Sequence, residues 1–353
     1  MHPVNRSDKM TQRYLVVTYV FGAGASLHAG YPVAAELGNC LHDWVRQNDF
    51  MWPGNIEEFH EQCGERLNFE QVLTQLYERR AGSWAAALGE KRCGGMINAL
   101  KIGIPEFFNS VRQKPIQGPD SYGELARNRI RSGDTILTFN YELACERSLK
   151  IAGLWEIGDG YGFSLGSSVT VPSKVKVLKL HGSTSWLGII HRGEQGYGGA
   201  PNVYGPRPCL FGERDFTYLG YSNDVRDSLC KHISAPGGEP ALILPTLHKD
   251  FFLQTHFGRE WKHFWNDIWN QAAQALHSAK KIVIIGYSMP TADERARELL
   301  LRHSNPGAEI HVYSGSRTGA IWEDFRKCGF QTVKSPSQGC FEDYLNAPRT
   351  PFS

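Results

Sequence analysis

Five short apolar runs, most of them ending in a glycine or small polar loop, limit what this chain of 353 residues can fold into. They are Tyr14–Phe21, Thr135–Phe139, Val175–Leu180, Lys281–Ile285 and Glu309–Tyr313. Lys281–Ile285 is near-continuous Ile and Val rather than alternating, which marks a strand covered on both faces, as in a parallel sheet with helical crossovers. Between the runs lie helical patterns: Val33–Arg46, several helices over 56–112 with an amphipathic stretch at Phe69–Tyr77, and an aromatic helix over Phe257–Ala279. Gly94-Gly95 and Pro105 read as turns, Thr291–Glu294 as a T-x-x-E capping box opening a helix over Ala292–His303, and Ile321–Lys327 as a short closing helix. Strands alternating with helices predict an α/β fold, a doubly wound parallel Rossmann-like sheet. Residues 1–12 read as a polar tail and 13–353 as one domain, with a helical insertion at about 45–130 and a Gly/Pro-rich, loop-rich one at about 190–240. Regular structure resumes at Ala241–Pro245.

In such a sheet, ligands bind beyond the carboxyl ends of the strands. The residues to examine are therefore Gly22–Ser26, Asn140–Glu142, His181–Ser183, Pro245–Lys249, Gly286–Ser288 and Ser314–Ser316. Glycine is in excess, 37 of 353 residues, against a usual share of about 7%. In Gly22-Ala23-Gly24-Ala25-Ser26, two residues without Cβ atoms let the backbone turn sharply and approach a pyrophosphate. A tight strand-to-helix turn is the bland alternative. The ordinary dinucleotide fingerprint is absent, because Leu27 stands where a third glycine belongs and Asp43 lies in a helical pattern. A Walker loop is absent too.

Other classes fall away on composition. Lys and Arg total 38 against 36 Asp and Glu, a net charge of +2, so nothing points to direct nucleic-acid binding. No apolar run is long enough for a membrane span. Arg6, Lys9 and Arg13 before Tyr14–Ser26 imitate a signal peptide, but a buried strand and glycine loop explain the same residues. The eight cysteines form no C-x-x-C pair, which fits reduced thiols in a cytoplasmic protein and offers no metal site.

Four motifs, in order along the chain, resemble the sirtuin (Sir2) superfamily. Gly22–Ser26 followed by Ala29-Gly30-Tyr31-Pro32 is similar to its first NAD-binding loop, and Thr138-Phe139-Asn140-Tyr141-Glu142 to its T-x-N-x-D segment. Leu180-His181-Gly182 resembles its strand-end histidine motif, and Ile285-Gly286-Tyr287-Ser288 its later glycine-serine loop. Lysine deacylases of the superfamily carry G-I-P-D-F-R in the first loop and a four-cysteine zinc module. This chain has Gly30-Tyr31-Pro32-Val33-Ala34-Ala35 and no cysteine pair. TFNYE, KLHGSTSWL, LILPTLHKDFF and IIGYSMPTADE instead resemble bacterial Sir2-like proteins of antiviral defence.

The resemblance implies an NAD glycohydrolase that consumes NAD as substrate, releasing nicotinamide and ADP-ribose and depleting NAD in infected cells. It implies Asn140 and His181 as catalytic residues, with Gly22, Ala23, Gly24, Ser26, Pro32, Glu142, Gly286, Tyr287 and Ser288 binding the nucleotide. Glu142 stands where the family has Asp, which lengthens the acid that meets the ribose. Homo-oligomers are implied, as is a separate sensor or ATPase partner of the HerA type or a short Argonaute. Alternatives are a module that senses NAD or ADP-ribose without turnover and, less favoured by the motifs, a protein deacylase or ADP-ribosyltransferase. Cleaving the N-glycosidic bond builds positive charge on the ribose while nicotinamide leaves readily. The chemistry therefore needs a held ribose, excluded bulk water and one positioned nucleophile. Asn140 can bond a ribose hydroxyl or water through its amide, and an imidazole such as His181 can take a proton at neutral pH.

Overall fold

A computed structural model describes residues 16–64, 69–81, 87–115, 118–163, 172–189, 238–246, 262–291, 293–334 and 339–348. Six strands form one parallel sheet: β1 (Val17–Phe21), β2 (Thr135–Thr138), β3 (Lys176–Lys179), β6 (Lys281–Ile285), β7 (Glu309–Tyr313) and β8 (Val333–Lys334), in the order β3-β2-β1-β6-β7-β8. Helices flank it, giving an α/β Rossmann-like fold. Chain order reverses at β1, which pairs with β2 on one side and β6 on the other. The register aligns Phe21 with Thr138 and Ile285, Thr138 with Lys179, and Ile285 with Tyr313. Residues 22, 139, 180, 286 and 314 therefore leave the sheet in one row. That row is the floor of the site.

The sheet strands match their sequence signals because Val20, Phe21, Ile136, Leu137, Val177, Leu178 and Ile282–Ile285 are all buried. β1 begins three residues later than the apolar run suggests, and residues 14 and 15 lie outside the described part. A second, antiparallel pair joins β4 (Gly182–Ile189) to β5 (Gly238–Leu242) outside the main sheet. The Ala241–Pro245 stretch thus enters a hairpin-like pair rather than the central sheet. Most of the Gly/Pro-rich segment at 190–240, the tail, and His248 and Lys249 lie outside the described residues.

Between β1 and β2 run a 3-10 helix (Ala23–Ala29), α1 (Ala34–Gln47), α2 (Pro53–Cys63), α3 (Phe69–Ala81), α4 (Ala87–Gln113) and α5 (Ser121–Asn128). A second hydrophobic cluster runs from Tyr31 to Val111 through α1–α4, and Tyr141, Leu143, Leu242 and Leu244 join it. Tyr122, Leu125 and Ala126 of α5 belong instead to the sheet's own core. The turns expected at Gly94-Gly95 and Pro105 are absent, for α4 runs through both. Its apolar face (Cys93, Met96, Ile97, Leu100, Ile104, Phe107, Phe108, Val111) is buried, and that burial outweighs the local cost of glycine and proline. At Gly103 a Cβ would come within 3.4 Å of Leu41 and Phe50, so the small residue lets α1 approach.

After β2 comes α6 (Ala144–Ile151), and after β5 comes α7 (Lys262–Ser278), the aromatic helix, with Trp265, Ile268 and Trp269 buried. Thr184 is bonded to the Tyr141 carbonyl and Trp186 is buried against Tyr161 and Trp265, so both serve packing. Beyond β6, helix α8 (Glu294–His303) starts at Glu294 with Asp293 as its N-cap, so the capping box at Thr291 does not form. A 3-10 turn (Gly315–Arg317) and α9 (Thr318–Lys327) follow β7. Strand β8 and the last helix, α10 (Phe341–Asn346), had no clear sequence signal. No helix among the described residues is long and apolar enough to cross a membrane.

Candidate active site

A cavity of about 750 Å³ lies over the carboxyl ends of β1, β2, β3, β6 and β7. Gly22, Ala23, Gly24, Ser26, Pro32, Asn140, Glu142, His181, Gly286, Tyr287 and Ser288 all line it. The sheet brings them together from four separate segments.

The glycines serve first to cross one loop over another. Gly22 N–H donates to the Ile285 carbonyl at 3.1 Å, and Gly24 N–H to the Gly286 carbonyl at 2.9 Å. A Cβ on Gly22 would sit 2.5 Å from Tyr287 Cα, and one on Gly286, whose φ is +63°, would collide with the Ala25 nitrogen. Close approach of backbone to backbone is thus what these residues demand, beside any approach of a ligand.

Asn140 is held by its side chain. Nδ2 donates to the Gly22 carbonyl and to Ser26 Oγ, both at 3.0 Å. The Gly22 carbonyl can only accept, which fixes the orientation of the amide. Both amide hydrogens are therefore engaged, and Oδ1 remains as the side chain's acceptor. Ser26, expected at a phosphate, is instead nearly inaccessible and spent on internal bonds. Its hydroxyl donates to Glu142 Oε1 and lies 3.0 Å from the Tyr122 hydroxyl. Having one proton, it accepts from Asn140 and Tyr122. Glu142 Oε2 accepts the Ala144 N–H at 2.7 Å, at the start of α6. The longer acid thus reaches Ser26 while closing a helix end.

Below this network, Lys179 Nζ donates to the Glu142 carbonyl at 2.6 Å and to Glu146 Oε1 at 2.8 Å. Both side chains are shut off from solvent. Burial pushes the Glu146 carboxyl up, and the Lys179 ammonium pulls it back. His181 leaves β3 just before Gly182, whose φ is +89°. Its ring lies edge-on to Phe139 with centroids 5.1 Å apart. Tyr287 stacks on Phe139 at 4.3 Å and 16°, and burial holds its hydroxyl well above the usual range. Ser288 is exposed at the rim, where its carbonyl accepts from Arg317 Nε at 3.4 Å.

Sequence reasoning missed several lining residues. Asp293 is buried with Oδ2 3.6 Å from His181 Nε2; it was absorbed into the capping-box reading. His28 lines the wall, where its Nε2 accepts the Tyr122 N–H at 3.4 Å and burial lowers its pKa. Glu70 of α3 and Arg317 also line the cavity, each from a segment without a motif. Among the described residues, no group of three or more His, Cys, Asp or Glu is placed to hold a metal ion.

No protein-family model matches the chain, and no curated protein matches it. The solved structures it resembles are Sir2 proteins. A Sir2 homolog in complex with NAD is 14% identical, covering 94% of this chain and 88% of that one, with a TM-score of 0.37. A structure described for the mechanism and regulation of Sir2 enzymes is 14% identical, with coverages of 94% and 90% and a TM-score of 0.40. A Sir2 complex with an inhibitor, 2′-O-acetyl-ADP-ribose and a deacetylated p53 peptide is 15% identical, with coverages of 94% and 91% and a TM-score of 0.34. The motifs and the geometry of the cavity, not these likenesses, carry the functional reading.

Proposed function

We propose that this chain is a Sir2-like NAD glycohydrolase, cleaving NAD to nicotinamide and ADP-ribose. The observation that carries the reading is the meeting of Asn140 and His181, from adjacent strand ends, in one cavity beside the Gly22–Gly286 crossing. A volume of about 750 Å³ falls within the range of roughly 300–1,000 Å³ usual for small-molecule sites. The switch of chain order at β1 divides it. Asn140 and His181 lie over β2 and β3, so the reacting ribose belongs there and the adenosine half over β6 and β7.

The roles follow from chemistry. Asn140 Oδ1 accepts from a ribose hydroxyl or from the attacking water, its amide hydrogens being engaged elsewhere. His181 takes the proton that this hydroxyl or water gives up. Glu70, Glu142 and Asp293 place carboxylates around the cavity, where negative potential favours the positive charge that grows on the ribose as nicotinamide leaves. Ala23, Gly24 and Ser288 would meet the phosphates and the adenosine ribose. The biological role proposed is NAD depletion in antiphage defence, in an oligomer or with a separate sensor partner.

Incubating the purified protein with NAD and measuring released nicotinamide tests this. Asn140→Ala and His181→Ala should each lower turnover at least a hundredfold while NAD still binds. Binding without turnover, alone or in assembled form, would replace the hydrolase by an NAD or ADP-ribose sensor. Turnover equal to that of the wild type in both variants would remove the residue assignment.

A further inference from the structure

We infer that Asp293 is a positioning residue for His181, fixing the imidazole proton on Nε2 and leaving Nδ1 as the ring's basic nitrogen. The role rests on the hydrolase reading, but the geometry behind it does not.

Asp293 occupies the N-cap of α8, the place where an aspartate normally accepts from a backbone N–H of the first turn. Its side chain makes no such bond. Forgoing a cap is destabilising, which sets this carboxylate apart from an ordinary N-cap. It points away from its helix: Oδ2 accepts from the Tyr287 hydroxyl at 3.4 Å and lies 3.6 Å from His181 Nε2. Oδ1 is buried without a hydrogen-bond partner. A buried carboxylate with so few donors is costly, and a nearby N–H that can approach is its natural complement.

The backbone holds it there. Asp293 N–H donates to the Pro290 carbonyl at 3.1 Å, and Arg297 N–H donates to the Asp293 carbonyl at 2.9 Å. Arg297 also grips the Met289 carbonyl at 3.1 Å, and Met289 is the one non-glycine with positive φ, +47°, among the described residues. The His181 ring is backed by Phe139, and Phe139 by Tyr287. Closing the 3.6 Å separation by about 0.7–0.9 Å would bring Nε2 and Oδ2 into a charge-assisted hydrogen bond, and such bonds are often long before substrate binds.

A carboxylate can only accept, so it selects the tautomer with the proton on Nε2. The ring's basic lone pair is then on Nδ1, the atom that takes a proton. When it does, the O–H bond of the water or ribose hydroxyl breaks and an N–H bond forms. The imidazolium keeps its Nε2–H toward Asp293, which stays ionised. An asparagine could turn its amide and donate instead, allowing the opposite tautomer.

The test is Asp293→Asn in the full chain, read in two ways. Nitrogen-15 spectra, with His181 assigned by comparison with His181→Ala, should show Nε2–H in the wild type and a shift towards Nδ1–H in the variant. Turnover should fall at least tenfold in kcat with NAD affinity changed less than threefold, and Asp293→Asn should add nothing to His181→Ala. An unchanged tautomer, or losses that multiply in the double variant, would overturn the inference. Tyr287→Phe keeps the stack on Phe139 and removes one donor to Asp293, and should lower kcat about two- to fivefold. If Asp293→Asn does not fold, an unaltered kcat in Tyr287→Phe overturns the inference. If the wild type releases no nicotinamide, the hydrolase reading fails while the spectra still decide the tautomer.

Discussion

On one side of β1, the ends of β2 and β3 carry buried polar side chains bonded to one another: Asn140, Ser26, Glu142, Lys179 and Glu146. On the other side, the ends of β6 and β7 carry mainly backbone, with Gly286 crossing Gly22 and Gly24 and donating to the Tyr313 carbonyl at 2.9 Å. Side chains give direction and charge, which bond cleavage requires. Backbone gives shape and N–H groups, which a bound phosphate requires. The first half should therefore fail when a charge loses its partner, and the second when a methyl group is added.

The largest expected effect lies in the first half. Lys179→Met leaves Glu146 buried without its cation, and breaking a buried pair in this way costs about 3–5 kcal/mol. The loss should appear as a lower urea midpoint. Lys179→Met combined with Glu146→Leu should recover most of it, because removing both charges removes the desolvation penalty. If the single and double variants are equally unstable, the pair is not what holds this half together. Gly286→Ala tests the other half. A left-handed non-glycine residue costs roughly 1–3 kcal/mol, and the collision with Ala25 and Gly24 raises the total to about 3 kcal/mol. Full stability with intact NAD binding would mean that the two loops can separate, and the contrast between the halves would vanish.

The two halves were also unequally legible in the sequence. Lys281–Ile285 and Glu309–Tyr313 stand in the structure with the limits their apolar runs suggest, because both strands are central and covered on both faces. β8 has two residues and no run to read. Asn140 and His181 were visible as polar residues placed just after strands. Their support was not. Asp293 is eight residues past the end of β6, and only the folded loop turns it back to His181. Tyr122 and Ser26 are 96 residues apart. Tertiary contact decided α4 as well, where a buried face overrode glycine and proline. Local pattern finds what the backbone presents; it does not find what another segment delivers.

A smaller effect probes the link between halves, for Ser26 belongs to the glycine loop but bonds into the polar network. Ser26→Ala leaves an Asn140 amide hydrogen, Glu142 Oε1 and the Tyr122 hydroxyl each one partner short. Stability should fall by about 2 kcal/mol. Nicotinamide release should fall about tenfold or more, since Asn140 is freed to rotate and small misplacements weigh heavily on rate. Stability lost without any change in turnover would show that the amide is held by Gly22 alone.

The smallest effect on turnover comes from a group remote from the cavity, and it asks whether buried polar groups elsewhere in the sheet obey the same rules. Asp134, at the opposite end of β2, accepts the Val17 N–H at 2.9 Å and the Arg131 N–H at 2.8 Å. Burial nonetheless pushes its carboxyl up to about 6. An aspartate in the unfolded chain titrates near 3.9, to about that precision. The folded chain thus holds the proton more tightly. Stability from this group is full below pH about 4 and is lost as the pH rises through about 6, about 3 kcal/mol in all. Asp134→Asn cannot titrate, so the wild type should gain stability relative to it as pH falls from 7 to 4. Nicotinamide release at pH 7 should stay within twofold, because Asp134 lies a full strand length from Asn140. Parallel stability curves would mean that the two backbone N–H bonds compensate for burial completely. In that case hydrogen bonds alone could keep a buried carboxylate charged, and the polar network under Asn140 would not depend on Lys179 for its charge.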